Sequence, residues 1–257
     1  MSEKWSAGDE VRQTYDTYAA AYEDFNHGYM YERWTGRLLE TAEAAGLEGD
    51  RLLDIACGTG LSFVTMLERG WKVTGCDISP AMLEIAEESF GDRAELFVAD
   101  MRELPDIGEF DLIWAVNDPL NYLLSIEEFE ATLDGMRRNL APGGIALFDI
   151  NTLVTYRTFF SQEVVVNQND RQLVWRGKVL PEEVKPGMFA EATFEEVGAE
   201  GSAHVHRQRH FGQPEVEAAF KKVGLECIAV YGEQDGALSP GVDEDLHTKA
   251  VYLSRLA

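Results

Sequence analysis

Lysine is scarce in this chain. Its 257 residues carry 46 acidic side chains against 22 basic ones, only seven of them lysine, for a formal charge of −24. A surface of that sign repels a polyanion, because each phosphate needs a cationic partner, so nucleic acid is not expected as the principal partner. Cysteine is scarcer still. Cys57, Cys76 and Cys227 form no CxxC pair and are odd in number, which leaves no readable disulfide framework or zinc site and makes a reducing cytoplasm the expected location. No run approaches the ~18 apolar residues that span a bilayer. The N-terminal stretch MSEKWSAGDEVRQ is charged and lacks an apolar core, so neither a membrane nor a signal peptide is expected. What is present is ample apolar material. Hydrophobic residues make up 45% and aromatics 11% of the chain, which excludes a disordered acidic tail.

The apolar pattern changes twice along the chain. Residues 1–50 read as a helical, aromatic-rich lid: Val11 to Phe25, then Tyr31 to Ala45 with Trp34, Leu38, Leu39 and Ala42 on one face and Gly46 as the stop. From Arg51 short apolar strands alternate with amphipathic helices. Strands are expected over 52–56, 72–76, 95–98, 110–116 and 145–150. Helices follow the glycine loop to about Arg69, run from Ser79-Pro80 to Phe90, and from Ser125 to Leu140. That rhythm means βαβ units and a doubly wound α/β domain over 51–151. Residues 152–211 break it. Four alternating segments at 164–166, 172–179, 190–197 and 203–210 read as antiparallel strands inserted after the fifth parallel one. Residues 212–257 then resume the α/β core. The expected architecture is a mostly parallel seven-stranded sheet with a helical lid and an antiparallel β insertion, placed where open α/β sheets bind ligands.

The chemistry concentrates in LLDIACGTG, residues 52–60. A strand ends in an acid and runs into a loop with two glycines one residue apart. Glycine lets the backbone approach a ligand, and the following helix offers free N–H groups. A dinucleotide site needs a third glycine, and Phe63 stands in its place; no Gly-Lys-Ser/Thr follows, so a P-loop is excluded too. Asp54, before the loop, repels phosphate and attracts an ammonium. Asp77 ends the second strand, where a carboxylate can accept from both hydroxyls of a ribose. Asp100 ends the third, where one can accept from an adenine amine. Ribose, adenine and a cationic group without phosphate describe S-adenosylmethionine.

Through LLDIACGTG, GCDIS, VADM and LAPGGIALFDIN, over residues 50–151, the sequence resembles the class I S-adenosylmethionine-dependent methyltransferases. The resemblance implies that Asp54, Ala56, Gly58 and Gly60 line the methionine end of S-adenosylmethionine, with Asp77 at the ribose. Ile78 and Met82 fall at the adenine, Asp100 and Met101 at its edge, and Arg33 at the cofactor carboxylate. The N-terminal Tyr15, Tyr22 and Trp34 and the β insertion are similar to small-molecule methyltransferases, including the aminosugar N-methyltransferases. Those sugar enzymes carry a catalytic histidine in the loop after strand four, and here the aligned position in Asn117-Asp118-Pro119-Leu120-Asn121-Tyr122 is Tyr122. Tyrosine is a poor base at neutral pH unless its pKa falls.

These readings give an enzyme that moves a methyl group to a nitrogen or oxygen of a small metabolite, leaving S-adenosylhomocysteine. Tyr15, Tyr22, Asn117, Asp118 and Tyr122 frame the acceptor. Tyr15, Tyr18 and Tyr22 share one helix face, which can also be plain packing against the sheet. His204, His206 and His210 lie on one face of a strand. His206 and His210 would be about 13 Å apart there, too far to share one ion, so no metal is expected; one of the three, or His27, is a candidate proton acceptor. Cys57 is a small packing residue, and Asp243-Glu244-Asp245 a solvated turn. An RNA or protein methyltransferase would use the less acidic insertion, with Arg171, Arg176, Lys178, Arg207 and Arg209. A non-catalytic S-adenosylmethionine-binding regulator is the remaining alternative. A homodimer is compatible with the sequence.

Overall fold

The computed structural model describes residues 7–257, so the first six residues of the charged N-terminal stretch and of the lid lie outside the described residues. Two helices come first, α1 (Ala7–Phe25) and α2 (Tyr31–Ala44), followed by the alternating segment β1 (Arg51–Ile55), α3 (Val64–Glu68), β2 (Lys72–Asp77), α4 (Pro80–Phe90), β3 (Ala94–Val98), β4 (Phe110–Ala115), α5 (Ile126–Asn139) and β5 (Leu140–Asn151). A short helix α6 (Leu153–Thr158) leads into β6 (Glu163–Gln168), β7 (Arg171–Gly177), β8 (Phe189–Glu196) and β9 (His204–Arg209). The chain ends with α7 (Gln213–Val223), β10 (Leu225–Gln234), β11 (Ala237–Pro240) and β12 (Lys249–Leu256).

The strands form an eight-stranded sheet in the order β11-β10-β12-β5-β4-β1-β2-β3 and a separate four-stranded sheet β6-β7-β8-β9. From β3 to β5 the pairing is parallel; β12 enters antiparallel against β5, and β10 and β11 follow antiparallel. Period-two alternation serves both faces. Leu53, Ile113 and Phe148 join Phe129, Leu133 and Phe220 of α5 and α7, while Leu52, Leu112 and Leu147 join Trp34, Leu38 and Leu39 of α2. Continuous apolar strands are therefore what a doubly covered sheet requires. The four-stranded sheet packs its inner face, including Leu173, Trp175 and Phe194, against Tyr18 of α1 and Met82 of α4.

Local signals explain the boundaries. Ser79 accepts the Met82 N–H at 3.1 Å and caps α4. Its hydroxyl donates to Asp16 Oδ1 at 2.6 Å, which ties α1 to that helix end. Gly46 closes α2 at φ +94°, with Leu47 N–H donating to Ala42 O at 3.0 Å.

Two details depart from the sequence reading. The helix after the glycine loop covers only Val64–Glu68, because Gly58 and Gly60 at φ +56° and +90° hold the preceding residues in successive turns. The large sheet has eight strands rather than seven. Asp235-Gly236, at φ +53° and +77°, makes a two-residue hairpin turn that adds the edge strand β11.

Gly60 holds the loop by shape. A Cβ there would lie 2.7 Å from the Phe63 ring and 2.8 Å from Phe90. Gly60→Ala is therefore expected to destabilise the fold by about 2–4 kcal/mol, from left-handed backbone strain plus overpacking. Urea midpoints measure it; a loss under ~1 kcal/mol would mean that the two rings move aside.

Candidate active site

The sheet order places β1 and β4 side by side, with β1 continuing to β2 on one flank and β4 to β5 on the other. Beyond the carboxyl ends of strands at such a switch point lies the ligand crevice of an open α/β sheet. Three non-glycine residues with left-handed backbones gather at these ends: Ala56 at φ +59°, Asn117 at +73° and Asp118 at +58°. Such strain persists only where the surroundings enforce it, and it clusters at functional sites.

Two adjoining cavities of about 40 and 70 Å³ lie along β1–β3 under α1, sharing Val11, Ala56, Ile78, Met101 and Tyr122. Gly58, Asp77 and Met82 line the larger one, and Asp100 the smaller. Seven of the ten residues assigned to the cofactor by the sequence thus meet in one cleft. Asp77 takes the Gly58 and Ser79 N–H groups, both at 2.9 Å. Burial pushes its carboxyl up to about 6 against those stabilising N–H bonds. Half-burial opposes the charge on Asp100 too, but the Arg102 guanidinium and N–H outweigh it and hold that carboxyl below the usual range. The Arg102–Asp100 pair sits directly under Gly8 of α1, where a Cβ would come 1.6 Å from the guanidinium.

The other three assigned residues lie elsewhere. Asp54 is wholly buried beneath the loop, where it takes the Ser62 hydroxyl at 2.5 Å, and burial pushes it up to about 7. Nε1 of Trp114, its register neighbour on β4, approaches the carboxylate and works with Ser62 against that rise. Gly60 faces two phenyl rings. Arg33 is exposed on α2, with its guanidinium beside Gly236 in the β10–β11 turn.

Next to the cleft is a cavity of about 350 Å³ whose lining includes Tyr15, Tyr22, Asn117, Asp118 and Tyr122, all five residues assigned to the acceptor. Tyr15, Tyr22, Asn117 and Tyr122 line the cleft as well, so they stand where the two spaces join. Trp175, His206 and Gln208 of the four-stranded sheet form the roof, and Lys249 and Asn151 the floor.

A buried charge cluster holds this junction. Asp149, with no exposed surface at the end of β5, accepts the N–H groups of Asn117 and Asp118 at 2.7 and 3.0 Å. Lys249 Nζ donates to Asp149 at 2.6 Å and to Asp118 at 2.7 Å. Those two carboxylates outweigh desolvation and keep the ammonium protonated well above the ordinary lysine range. Gln208 donates to Asp118 Oδ2 at 2.8 Å, and Asn117 donates to the Tyr31 hydroxyl at 3.0 Å, itself 2.8 Å from that of Tyr22.

The sequence reading passed over Asp149 and Lys249. A fourth acid at a strand end, in the quoted FDIN, was the available signal for the first; a lysine opening an apolar strand of a lysine-poor chain was the one for the second. The histidines separate by role. His206 meets Tyr122, with Nδ1 2.7 Å from the hydroxyl. His210 instead takes the Gly187 N–H and reaches Glu244 at 3.1 Å. His27 is exposed and bonded to its own turn.

Comparison with known proteins agrees with the topology. Residues 52–144 match the methyltransferase domain family. The chain is 29% identical over 243 residues to a putative methyltransferase, YqeM, of Bacillus subtilis, covering 92% of this chain and 96% of that one. It is 28% identical over 193 residues, 74% of this chain and 81% of the relative, to a dTDP-3-amino-3,4,6-trideoxy-alpha-D-glucopyranose N,N-dimethyltransferase of Streptomyces venezuelae. The solved structure of an S-adenosylmethionine-dependent methyltransferase from Clostridium acetobutylicum superposes with a TM-score of 0.77 at 20% identity, covering 94% of this chain and 98% of that one.

Lys249→Met is expected to lower stability by about 3–5 kcal/mol at neutral pH, because it leaves two carboxylates at one site without their cation. The penalty shrinks as pH falls, since burial already raises the Asp149 carboxyl and its protonation removes uncompensated charge. Urea unfolding at pH 7 and at pH 4.5 separates the two cases; an equal loss at both would assign the effect to packing.

Proposed function

We propose that the chain, which matches the methyltransferase domain over residues 52–144 and a putative methyltransferase along most of its length, is an S-adenosylmethionine-dependent methyltransferase that methylates a nitrogen or oxygen of a small, neutral or cationic metabolite. The carrying observation is the 350 Å³ cavity that meets the cleft at Tyr15, Tyr22, Asn117 and Tyr122. A space of that size is at the small-molecule end of ligand pockets, typically about 300–1,000 Å³.

The residues present fit the cofactor. A Cβ at Gly58 would meet nothing within 4 Å, so the loop offers open backbone. Asp77 and Asp100 present carboxylates at successive strand ends, and no phosphate-binding sequence accompanies them. S-adenosylmethionine supplies a methyl group already activated by its sulfonium charge. The protein's share of the work is positioning, exclusion of water and stabilisation of charge on the acceptor.

The cluster of Asp118, Asp149 and Lys249 carries one net negative charge beside the acceptor cavity. That sign favours an amine, whose nitrogen becomes positive on methylation, and the relative named as an aminosugar N,N-dimethyltransferase is consistent with such an acceptor. The rings of Tyr15, Tyr18, Tyr22 and Trp175 line the same cavity and suit a cationic group.

A nucleic acid or protein substrate is disfavoured by the fate of the insertion's basic residues. Arg171, Arg176, Arg207 and Arg209 are each paired with glutamate or aspartate, and Lys178 approaches Glu191 at 4.0 Å. Among the described residues no helix is long and apolar enough to cross a membrane.

Isothermal titration with S-adenosylhomocysteine tests the cofactor assignment. Binding is expected at neutral pH and should weaken as pH falls through about 6, where Asp77 takes up a proton and loses acceptor strength. Asp77→Ala should weaken it about 100-fold through loss of a charged hydrogen-bond acceptor. No binding by the wild type, or unchanged binding by the variant, overturns the reading. Turnover on a panel of amines and phenols separates the enzyme from a binding-only protein.

A further inference from the structure

The aligned position of a catalytic histidine holds Tyr122, yet the structure returns a histidine to the same place from another part of the chain. His206, on β9 of the four-stranded sheet, puts Nδ1 2.7 Å from the Tyr122 hydroxyl. Both side chains are buried, at 2% and 9% exposure. Their partners come from separate elements: Tyr122 from the turn after β4, His206 from the inserted sheet.

The surroundings fix the chemistry of the pair. Around the imidazole stand the rings of Tyr15 and Tyr18 from α1, Trp175 from β7 and His204 from β9, at centroid distances of 5.8, 5.7, 5.0 and 5.0 Å. No carboxylate is among these contacts. Burial first, and then His204, presses the imidazole down to about 3, so the ring stays neutral at any working pH. Nε2 has no hydrogen-bond partner. A buried N–H facing aromatic rings is less costly than a buried lone pair, because ring faces are weakly negative. The tautomer with the proton on Nε2 follows, and Nδ1 is left to accept from Tyr122. Burial and Asp118 together raise the phenol further above its ordinary range, against the approach of the Tyr15 hydroxyl and the Gln208 amide to its oxygen, so it remains a neutral donor whose oxygen an incoming N–H reaches by displacing one of those two.

Resting on the methyltransferase reading, we propose that His206 is a positioning residue: it accepts the Tyr122 hydrogen bond and turns the phenol's lone pairs toward the junction of cleft and cavity, where they accept a hydrogen bond from the acceptor's own N–H. Tyr122 lines the cleft and the acceptor cavity at once, which puts its oxygen at the place of reaction. A substrate N–H held on Tyr122 Oη directs the nitrogen lone pair away from that bond and toward the methyl carbon. As the methyl group transfers, a C–N bond forms and the C–S bond breaks with its electron pair on sulfur. The positive charge passes to nitrogen, and the N–H proton stays on the ammonium, bonded to Tyr122, until the product is released. Neither Tyr122 nor His206 changes protonation state, which removes the objection that tyrosine is a weak base. The substrate class is thereby restricted. Neutral primary and secondary amines satisfy Tyr122 and can keep the proton, whereas a hydroxyl would have to give its proton to a base that this pair does not supply; a tertiary amine has no N–H to offer, so methylation stops at the tertiary product.

The test uses the full-length protein and one amine from the panel that the wild type turns over, with its monomethyl and dimethyl derivatives. The primary and monomethyl forms are expected to react and the dimethyl form not to. Tyr122→Phe and His206→Leu should each lower kcat about 10–100-fold through misplacement of the acceptor, with little change in KM. His206→Asn, whose amide oxygen can stand near the former Nδ1 position, should recover most of the rate. The Tyr122→Phe/His206→Leu double variant should be no slower than either single one, since both remove one interaction. Independently of turnover, long-range ¹H–¹⁵N spectra should show His206 as the Nε2–H tautomer at pH 7, with its Nδ1 resonance shifting in Tyr122→Phe. Additive rate losses, no recovery with asparagine, a charged imidazole at pH 7 or efficient quaternisation of the dimethyl amine would each overturn the assignment. Wild-type protein that binds S-adenosylhomocysteine but methylates nothing in the panel overturns the catalytic reading with it, whereas active variants overturn this inference alone.

Discussion

The junction of the two cavities depends on one buried carboxylate. Asp149 sits at the end of β5 with no solvent contact and spends its oxygens on three donors: the N–H groups of Asn117 and Asp118 and the ammonium of Lys249. The first two hold consecutive residues in the left-handed region, a conformation that asparagine and aspartate tolerate better than other non-glycine residues but do not choose unaided. The third links β5 to β12, so the turn after β4 is fixed against both central strands. Tyr122 ends the short 3-10 turn that follows, and its position relative to the cleft is therefore set by a charge four residues earlier in that loop and one strand away.

The same cluster gives the excess negative charge of the chain a local meaning. Most of the 46 acids do nothing for a site; many are consumed in surface ion pairs worth little each. Asp118 and Asp149 differ because they share one lysine and are screened from water. In the methyl transfer proposed above, from a sulfonium to an amine, positive charge would cross from the cleft into the neighbouring cavity. A fixed net negative charge on the acceptor side stabilises the later part of that movement without reorganising, which is the form of electrostatic contribution that most favours a transition state over a ground state.

What could be read in the sequence follows from how local each signal is. Gly58, Asp77, Ile78, Met82, Asp100 and Met101 are placed by strand ends and turns within a few residues of themselves, and they meet in the cleft. The alternation of β6 to β9 was legible for the same reason, as was the Ser79 cap. Partnerships across the fold were not. His206 and Tyr122 are 84 positions apart and Lys249 and Asp149 are 100 apart, and no periodicity records which strand of an inserted sheet will cover which loop. Arg33 lies apart from the cleft. Its residue type suited a carboxylate, but α2 buries Trp34, Leu38 and Leu39 against the sheet, and that packing leaves position 33 on the solvent side.

The remaining constraint is the lid. Under α1 the cleft holds spaces of only about 40 and 70 Å³, below what drug-sized ligands occupy, so α1 has to yield before a nucleoside can enter. Its attachments suit that requirement. Asp16 holds Ser79 and Asn169 holds Asp24 through hydrogen bonds at 2.6 and 2.7 Å, Thr14 reaches Val205 O at 3.2 Å, and Arg207 meets Glu10 at 3.2 Å. Apart from buried Ser79 and Thr14, the groups involved lie near the surface, where water can replace a polar contact at small net cost. The apolar contacts of Tyr18 with Phe194, His204 and His206 resist separation more strongly and bind α1 to the inserted sheet, and the same apolar cluster continues through Ala19 and Ala21 to Met82 of α4. Tyr15 of α1 stands 5.5 Å from the Tyr122 ring and His206 of the sheet 2.7 Å from its hydroxyl, so the phenol is enclosed and oriented only when the lid and the roof are both in place.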